Sequence, residues 1–418
     1  MNSWSILILL LILIPYFLEL VIEILDLKHS KAELPDEVKD VYDEEEYKKS
    51  LAYHKENTYF DFLAGFIALV FMLVVIFMGG FAYLDEKAKL LSTGYGELVY
   101  GVMFAVLFFS CSYVIGLPGT LYKTFVIEEK YGFNKTTLKL WLIDQLKGMV
   151  LGVVIGLPFL ALILKIFSYA KENPQAWLVA WVSVLVFQTI MMFLSPVLMS
   201  LFNKFEPLKD NELKELIENY AKNYSFTLSG IFQMDGSKRS SKANAFFAGF
   251  GKLKKIVLFD TLIEKLTRNE LLVVLAHEMG HFKCKHIYKL LVFGGLTMGL
   301  MLFCVQQLLS LEPLYKVFGL ESSVHACLII VSSIVLTPLT LVLGLIKNYY
   351  SRKYEYEADA FAVQTTKDGE GLVQALKKLS QSNLSNLTPH PVKTFFEYSH
   401  PTVVQRIRAI RSIEIKGN

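Results

Sequence analysis

Residues 271–286 read Leu-Leu-Val-Val-Leu-Ala-His277-Glu278-Met-Gly-His281-Phe-Lys-Cys-Lys-His286, and the apolar run 287–309 follows without a break. Helical spacing puts Leu272, Val273 and Ala276 on one side of this stretch, and the 23 residues after it are long enough to cross a bilayer. Residues four apart share a helix face. His277 and His281 therefore aim at one point, and Glu278 lies beside it. Two imidazoles at that spacing suit a zinc ion, with the intervening glutamate placed to act on a water molecule. Catalytic zinc takes three protein ligands and keeps one position open. A chance match to the pattern is roughly a one-in-a-hundred event by composition, and two surface histidines on a helix are the plainer explanation. The apolar setting argues against that explanation, because imidazoles and a carboxylate are costly there unless something coordinates them.

The rest of the chain is that of a membrane protein. Of 418 residues, 53% are hydrophobic and 19% charged, with a mean hydropathy of +0.42; soluble domains carry about 25% charged residues. Seven segments are long and apolar enough to span, at residues 4–25, 59–83, 97–117, 147–167, 175–201, 287–309 and 324–345. The first lacks a basic leader and a small-residue cleavage site, so it reads as an anchor. It carries Glu19 and Glu23, which either face protein or water or lie close to a membrane surface. Seven spans leave only Lys87, Lys89, Lys165, Lys171 and Lys316, of 42 Lys and Arg, on one side. The N-terminus is therefore expected outside or in a lumen, and the large loops in the cytoplasm. A net charge of +3 gives no reason to expect nucleic acid. The four cysteines have no ligand-like or disulfide-like spacing and read as reduced packing residues.

The expected organisation is residues 1–201 for spans one to five with their loops, 202–286 for a cytoplasmic unit ending in the motif helix, 287–346 for spans six and seven, and 347–418 for a C-terminal helical segment. Residues 210–224 read as an amphipathic helix, 243–250 and 255–259 as a strand pair around Gly249 and Gly251, and 348–364 and 370–381 as helices. The mixed-charge loop 26–58 reads as a solvated face. A third metal ligand must come from elsewhere in the chain, and the later segment offers candidates. In Tyr354-Glu355-Tyr356-Glu357-Ala358-Asp359, Glu355 and Asp359 share a helix face and Glu357 points away. Glu355 suits a ligand, and Asp359 suits the other ring N–H of a ligand histidine. An exposed acidic helix pairing with Arg352 and Lys353 is the alternative.

At these residues the chain resembles the type I CAAX prenyl endopeptidases, integral-membrane members of the gluzincin metallopeptidases. Their HExxH and ExxxD are matched by His277/Glu278/His281 and Glu355/Asp359. Further matches are Ser240–Phe247, Ile256–Leu262, Glu128–Lys135, and Tyr398-Ser399-His400-Pro401 with Arg406. The resemblance implies a mainly α, integral-membrane fold of seven helices enclosing a water-filled chamber, with a gluzincin-like zinc site at its cytoplasmic end and a small β-hairpin. It implies one Zn2+ on His277, His281 and Glu355, with Glu278, Asp359 and His400 as catalytic groups. Asn244 and Arg406 would bind substrate, and an edge strand would take up the peptide. Read alone, His400 is a capping residue before Pro401 and Arg406 is solvated, while His286, His325, His29 and His54 match no catalytic position.

The expected reaction is endoproteolysis after a prenylated cysteine, releasing a C-terminal tripeptide. The partners implied are a peptide or protein substrate with a prenylated C-terminus and the lipid bilayer. The membrane would be the endoplasmic reticulum in a eukaryote and the plasma membrane in a bacterium; residues 413–418 carry no dilysine or KDEL-type signal. A membrane-protein quality-control protease would share every catalytic residue. A transporter or zinc-binding channel is a different class, and ion sites of that class lie on helices broken at mid-membrane.

Overall fold

The computed structural model describes residues 2–30, 33–170, 172–248, 254–321 and 323–417. The chain opens with α1 (Ser3–His29), α2 (Glu44–Phe77), α3 (Gly80–Leu91) and α4 (Glu97–Tyr122), the last running on through a π-helical stretch to Glu128. Helices α5 (Leu138–Leu151) and α6 (Leu157–Ser168) are joined by a π-helical turn into one span, and α7 (Ala176–Ser200) follows. Next come β1 (Phe205–Pro207), α8 (Asn211–Asn223), β2 (Gly230–Met234), β3 (Ala245–Ala248), β4 (Lys255–Phe259), α9 (Asp260–Lys265) and α10 (Arg268–Lys283). The remainder is α11 (His286–Leu308), α12 (Glu312–Lys316), α13 (Val324–Ile330), α14 (Thr337–Thr366), α15 (Gly369–Ser382), α16 (Pro391–Glu397) and α17 (Val403–Gly417).

Six helices are long and apolar enough to cross a membrane, and a seventh span exists if α13 and α14 are counted together despite a 55° bend between them. The bend falls where Pro338 opens α14; proline lacks the N–H that a helix interior uses and fits best in a first turn, which favours a fresh helix start at this point. The second expected span is also split. Helix α2 stops at Phe77, Gly79 takes a left-handed conformation (φ 73°), and α3 starts at Gly80.

Buried apolar side chains gather at the two ends of these spans. One core packs Leu213 and Ile217 of α8, Ile256 and Leu258 of β4, Leu271 and Leu275 of α10, Val373 of α15 and Ile407 of α17. The other packs Phe81, Phe104, Phe167, Tyr315, Phe318 and Ile330 at the opposite end. Between them the packing thins. Residues 109–116 of α4 are exposed without exception, more than two turns of helix. Lipid reaches one side of such a helix, so open space must lie on its inner side as well. Glu23 of α1 points to protein, pairing with Lys393. Asp26, fully buried, binds His54 Nε2 at 2.7 Å and the His390 N–H at 2.6 Å.

The expected hairpin is part of something larger. β3 and β4 pair antiparallel, but β4 also runs parallel to β2, and β1 adds antiparallel to β2, giving the order β1-β2-β4-β3. The turn expected around Gly249 and Gly251 lies outside the described residues. β3 is an edge strand of this sheet. Its approach segment is tied to the loop after α4: the Ser241 N–H donates to the Phe133 carbonyl at 3.1 Å, and Lys242 pairs with Glu128 at 2.8 Å. Two of the stretches that carried the family resemblance thus meet.

Helix α10 begins with a capping box, in which the Thr267 side chain accepts from the Glu270 N–H and Glu270 accepts from the Thr267 N–H. It then crosses α14 at very short range. A Cβ placed on Gly280 would lie 3.1 Å from Ala358 Cα and 3.2 Å from the Ala358 carbonyl oxygen. Gly280→Val is therefore expected to lower stability by about 1–3 kcal/mol and to reduce bound metal, as thermal unfolding and metal analysis of the purified protein would register.

Candidate metal centre

The α10–α14 crossing carries the groups expected from the sequence. His277 and His281 stand one turn apart on α10, and Glu355 and Asp359 one turn apart on α14. His277 Nε2 and His281 Nε2 are 3.2 Å apart. Glu355 Oε2 is 3.5 Å from His277 Nε2, and Glu355 Oε1 is 3.3 Å from His281 Nε2. Ligand atoms about 2.0–2.1 Å from a tetrahedral ion would be about 3.3–3.4 Å apart. The three donors are thus spaced as three corners of such a shell, with the fourth corner left to a non-protein ligand.

The charges fit as well. Glu355 and Asp359 are 4% and 1% exposed, and one largely enclosed guanidinium, Arg406 of α17, answers both. It grips Asp359 through Nε (2.9 Å) and Nη2 (2.6 Å) and reaches Glu355 Oε2 with Nη1 at 3.3 Å. Two carboxylates and one guanidinium leave a net negative charge in a buried place, which is costly unless a cation joins them. Burial and the Arg406 charge push the His277 pKa down, yet Asp359 and Glu355 outweigh both and lift it to about 9. Positive charge is favoured at the position between the imidazoles and the carboxylate.

Asp359 Oδ1 lies 2.8 Å from His277 Nδ1. A carboxylate there fixes the tautomer that leaves Nε2 free for a metal. His281 has a partner that sequence reading missed. Its Nδ1 is 3.1 Å from Nδ1 of His286, whose Nε2 is 2.9 Å from Glu357 Oε2. His286 is 1% exposed and stacks flat on Tyr354, ring centroids 4.3 Å apart. No spacing rule links His286 to Glu357, 71 residues later. Each imidazole of the pair is thus oriented through its Nδ1, one by a carboxylate directly and one through a second imidazole.

Glu278 is half-buried and makes no hydrogen bond with a described residue, leaving its carboxylate free for a small molecule at the open corner. His400 approaches from the loop after α16, with Nε2 3.4 Å from Glu355 Oε1 and the Ser399 hydroxyl 2.9 Å from Nδ1. Its side chain is 63% exposed, so it borders the site on the solvent side. Arg406, its side chain 11% exposed, is engaged with the two carboxylates rather than solvated. Asn244 is not in direct contact with this cluster. It precedes the edge strand β3, exposed, with its carbonyl accepting from the Phe259 N–H at 3.1 Å. All four cysteines are free thiols.

Comparison with known proteins gives a consistent picture. Residues 23–204 match the CAAX prenyl protease N-terminal family of five membrane helices, and residues 207–414 match peptidase family M48. A CAAX prenyl protease 1 homolog of Arabidopsis thaliana is 35% identical, covering 90% of both chains. CAAX prenyl protease 1 of Saccharomyces cerevisiae is 34% identical, covering 93% of this chain and 91% of its own. The crystal structure of S. mikatae Ste24p superposes with a TM-score of 0.92 at 33% identity, over 98% of this chain and 99% of that one.

If Asp359 orients His277, then Asp359→Asn lowers metal affinity by about 10–100-fold while leaving the helical content intact. Competition with a metal-sensitive dye, alongside circular dichroism, measures both quantities.

Proposed function

The chain belongs to the M48 peptidases of the CAAX prenyl protease 1 kind and is a multi-pass membrane metalloendopeptidase acting on a peptide or protein, and from that premise we propose that it cuts prenylated CAAX C-termini with zinc held by His277, His281 and Glu355. The observation that carries the reading is the spacing of those three donors, 3.2, 3.3 and 3.5 Å. A zinc ion there would supply Lewis-acid polarisation to a carbonyl oxygen and to a water molecule.

The remaining work falls to the protein. Glu278 takes the proton of the attacking water as its oxygen bonds to the scissile carbonyl carbon. The same carboxyl then gives that proton to the leaving amine nitrogen, and the C–N bond breaks. His400 Nε2, at the solvent border, donates a hydrogen bond to the developing oxyanion. Asp359 holds the proton on His277 Nδ1, and Arg406 keeps Asp359 and Glu355 ionised and in place. The scissile segment lies along β3 as an added strand, with Asn244 binding its backbone. Cleavage after the prenylated cysteine releases a tripeptide, and the open space inside the spans suits the isoprenoid.

The preponderance of Lys and Arg on the motif side of the spans supports a cytoplasmic site, on the endoplasmic reticulum membrane if the host is a eukaryote and on the plasma membrane if it is a bacterium. Glu278→Gln is expected to keep its zinc and to lose cleavage by about 10²-fold or more. Zinc content and hydrolysis of a farnesylated CAAX peptide, run beside its unmodified form, test both halves. Preference for the unmodified form would favour a general membrane protease instead. Unchanged cleavage by the variant would sink the mechanism.

A further inference from the structure

A second group of ligand-type side chains sits at the corner that follows the metal-binding helix. Cys284 caps α10, Lys285 adopts a left-handed conformation (φ 59°), and α11 starts at His286. Cys284 and His286, on either side of this one-residue corner, both meet Glu357 of α14. A sulfur, a ring nitrogen and a carboxylate oxygen from the three lie within 4.8 Å of one another. His286 is buried and held against Tyr354, so one ligand is already fixed. Cys284 and Glu357 are each partly exposed, giving an ion a way in.

We propose that Cys284, His286 and Glu357 form a second, weaker zinc site whose occupation inhibits the enzyme. Thiolate, imidazole and carboxylate together select zinc over the hard cations magnesium and calcium. Two lysines set the affinity low. Lys289 and Lys353 lie 4.0 and 3.8 Å from the Glu357 carboxylate and must swing away from an arriving cation. Both side chains are about half exposed (47% and 59%), so they have room to do so, at a cost in affinity. The site therefore fills only at zinc levels above those that load the first one.

Inhibition follows from the ring His286 shares with His281. When His281 binds metal through Nε2, its Nδ1 carries a hydrogen, which His286 Nδ1 accepts at 3.1 Å. His286 then has its own hydrogen on Nε2, donated to Glu357 at 2.9 Å. A second zinc on His286 Nε2 and Glu357 occupies both of these positions. The His286 hydrogen moves to Nδ1, where it faces the hydrogen of His281, and the Cys284 thiol proton passes to solvent. The hydrogen bond between the rings is lost, and the orientation of His281 with it. Inhibition rests on the proteolytic reading of the first site; the existence of the second does not.

The test uses the full-length protein in detergent, stripped of metal and titrated with Co2+. Thiolate-to-cobalt charge transfer absorbs in the near ultraviolet, and the first site contains no sulfur. Two equivalents should bind, with that band growing only on the second; Cys284→Ser should bind one, with no band. The same variant should keep full cleavage at low zinc and raise the half-inhibiting zinc concentration by about tenfold or more. Saturation at one equivalent, or a band that survives in Cys284→Ser, would overturn the proposal. A second-equivalent band in a protein that cleaves no peptide would support this site and count against the proteolytic reading.

Discussion

The site depends on how closely two helices approach. Gly280, between the two histidines' turns on α10, rests against the backbone of Ala358 on α14. Backbones come this near only where a side chain is missing. The contact places Glu355, three residues before Ala358, level with both imidazoles, and puts Asp359 behind His277. The helices belong to segments separated by two stretches of membrane helix. Without the crossing, the histidines would be two ring side chains on one apolar helix, and Glu355 an isolated buried acid.

Charge explains why the crossing is reinforced from a third direction. Two carboxylates buried to a few per cent exposure repel one another and lose their hydration. Arg406 comes from α17, whose Ile407 and Ile410 are fully buried in the core beneath α10. The C-terminal helix is thus fastened by apolar packing, and Arg406, one turn before Ile410 on the same side, reaches from that packed face to the two carboxylates. The carboxylates of Glu355 and Asp359 outnumber the one guanidinium, and Glu278 adds a third nearby, so the arrangement favours a cation between them. The capping box at Thr267 and the Lys378–Glu270 pair (2.7 Å) fix the start of α10 in the same way, so the histidines stand on a helix held at its beginning and at its middle.

Much of this was legible in the sequence, because local periodicity carries it. The four-residue spacing of His277 and His281, and of Glu355 and Asp359, reads directly as shared helix faces, and apolar length reads as spans. Elements defined by distant partners were not legible. β1 is three residues long and ends in Pro207, too short for an alternating pattern, and it exists because β2 lies beside it. The bend before α14 and the break at Gly79 interrupt spans whose composition is continuous. His286 looked like a structural residue because its role comes from His281 on one side and Glu357 on the other. Arg406, taken without the resemblance that makes it a substrate contact, reads as solvated because its two carboxylates lie about fifty residues upstream. One signal was present but unused: Thr267-Arg268-Asn269-Glu270 spells a helix start ahead of the motif.

The geometry calls for one ion bound by two imidazoles and the Glu355 carboxylate. Zinc K-edge X-ray absorption of the protein loaded with a single equivalent measures that shell directly. Nitrogen and oxygen scatterers at about 2.0–2.1 Å, no sulfur, and a shell that loses an oxygen in Glu355→Ala are the expected result. A sulfur scatterer at one equivalent, or a spectrum unchanged by that substitution, would contradict it.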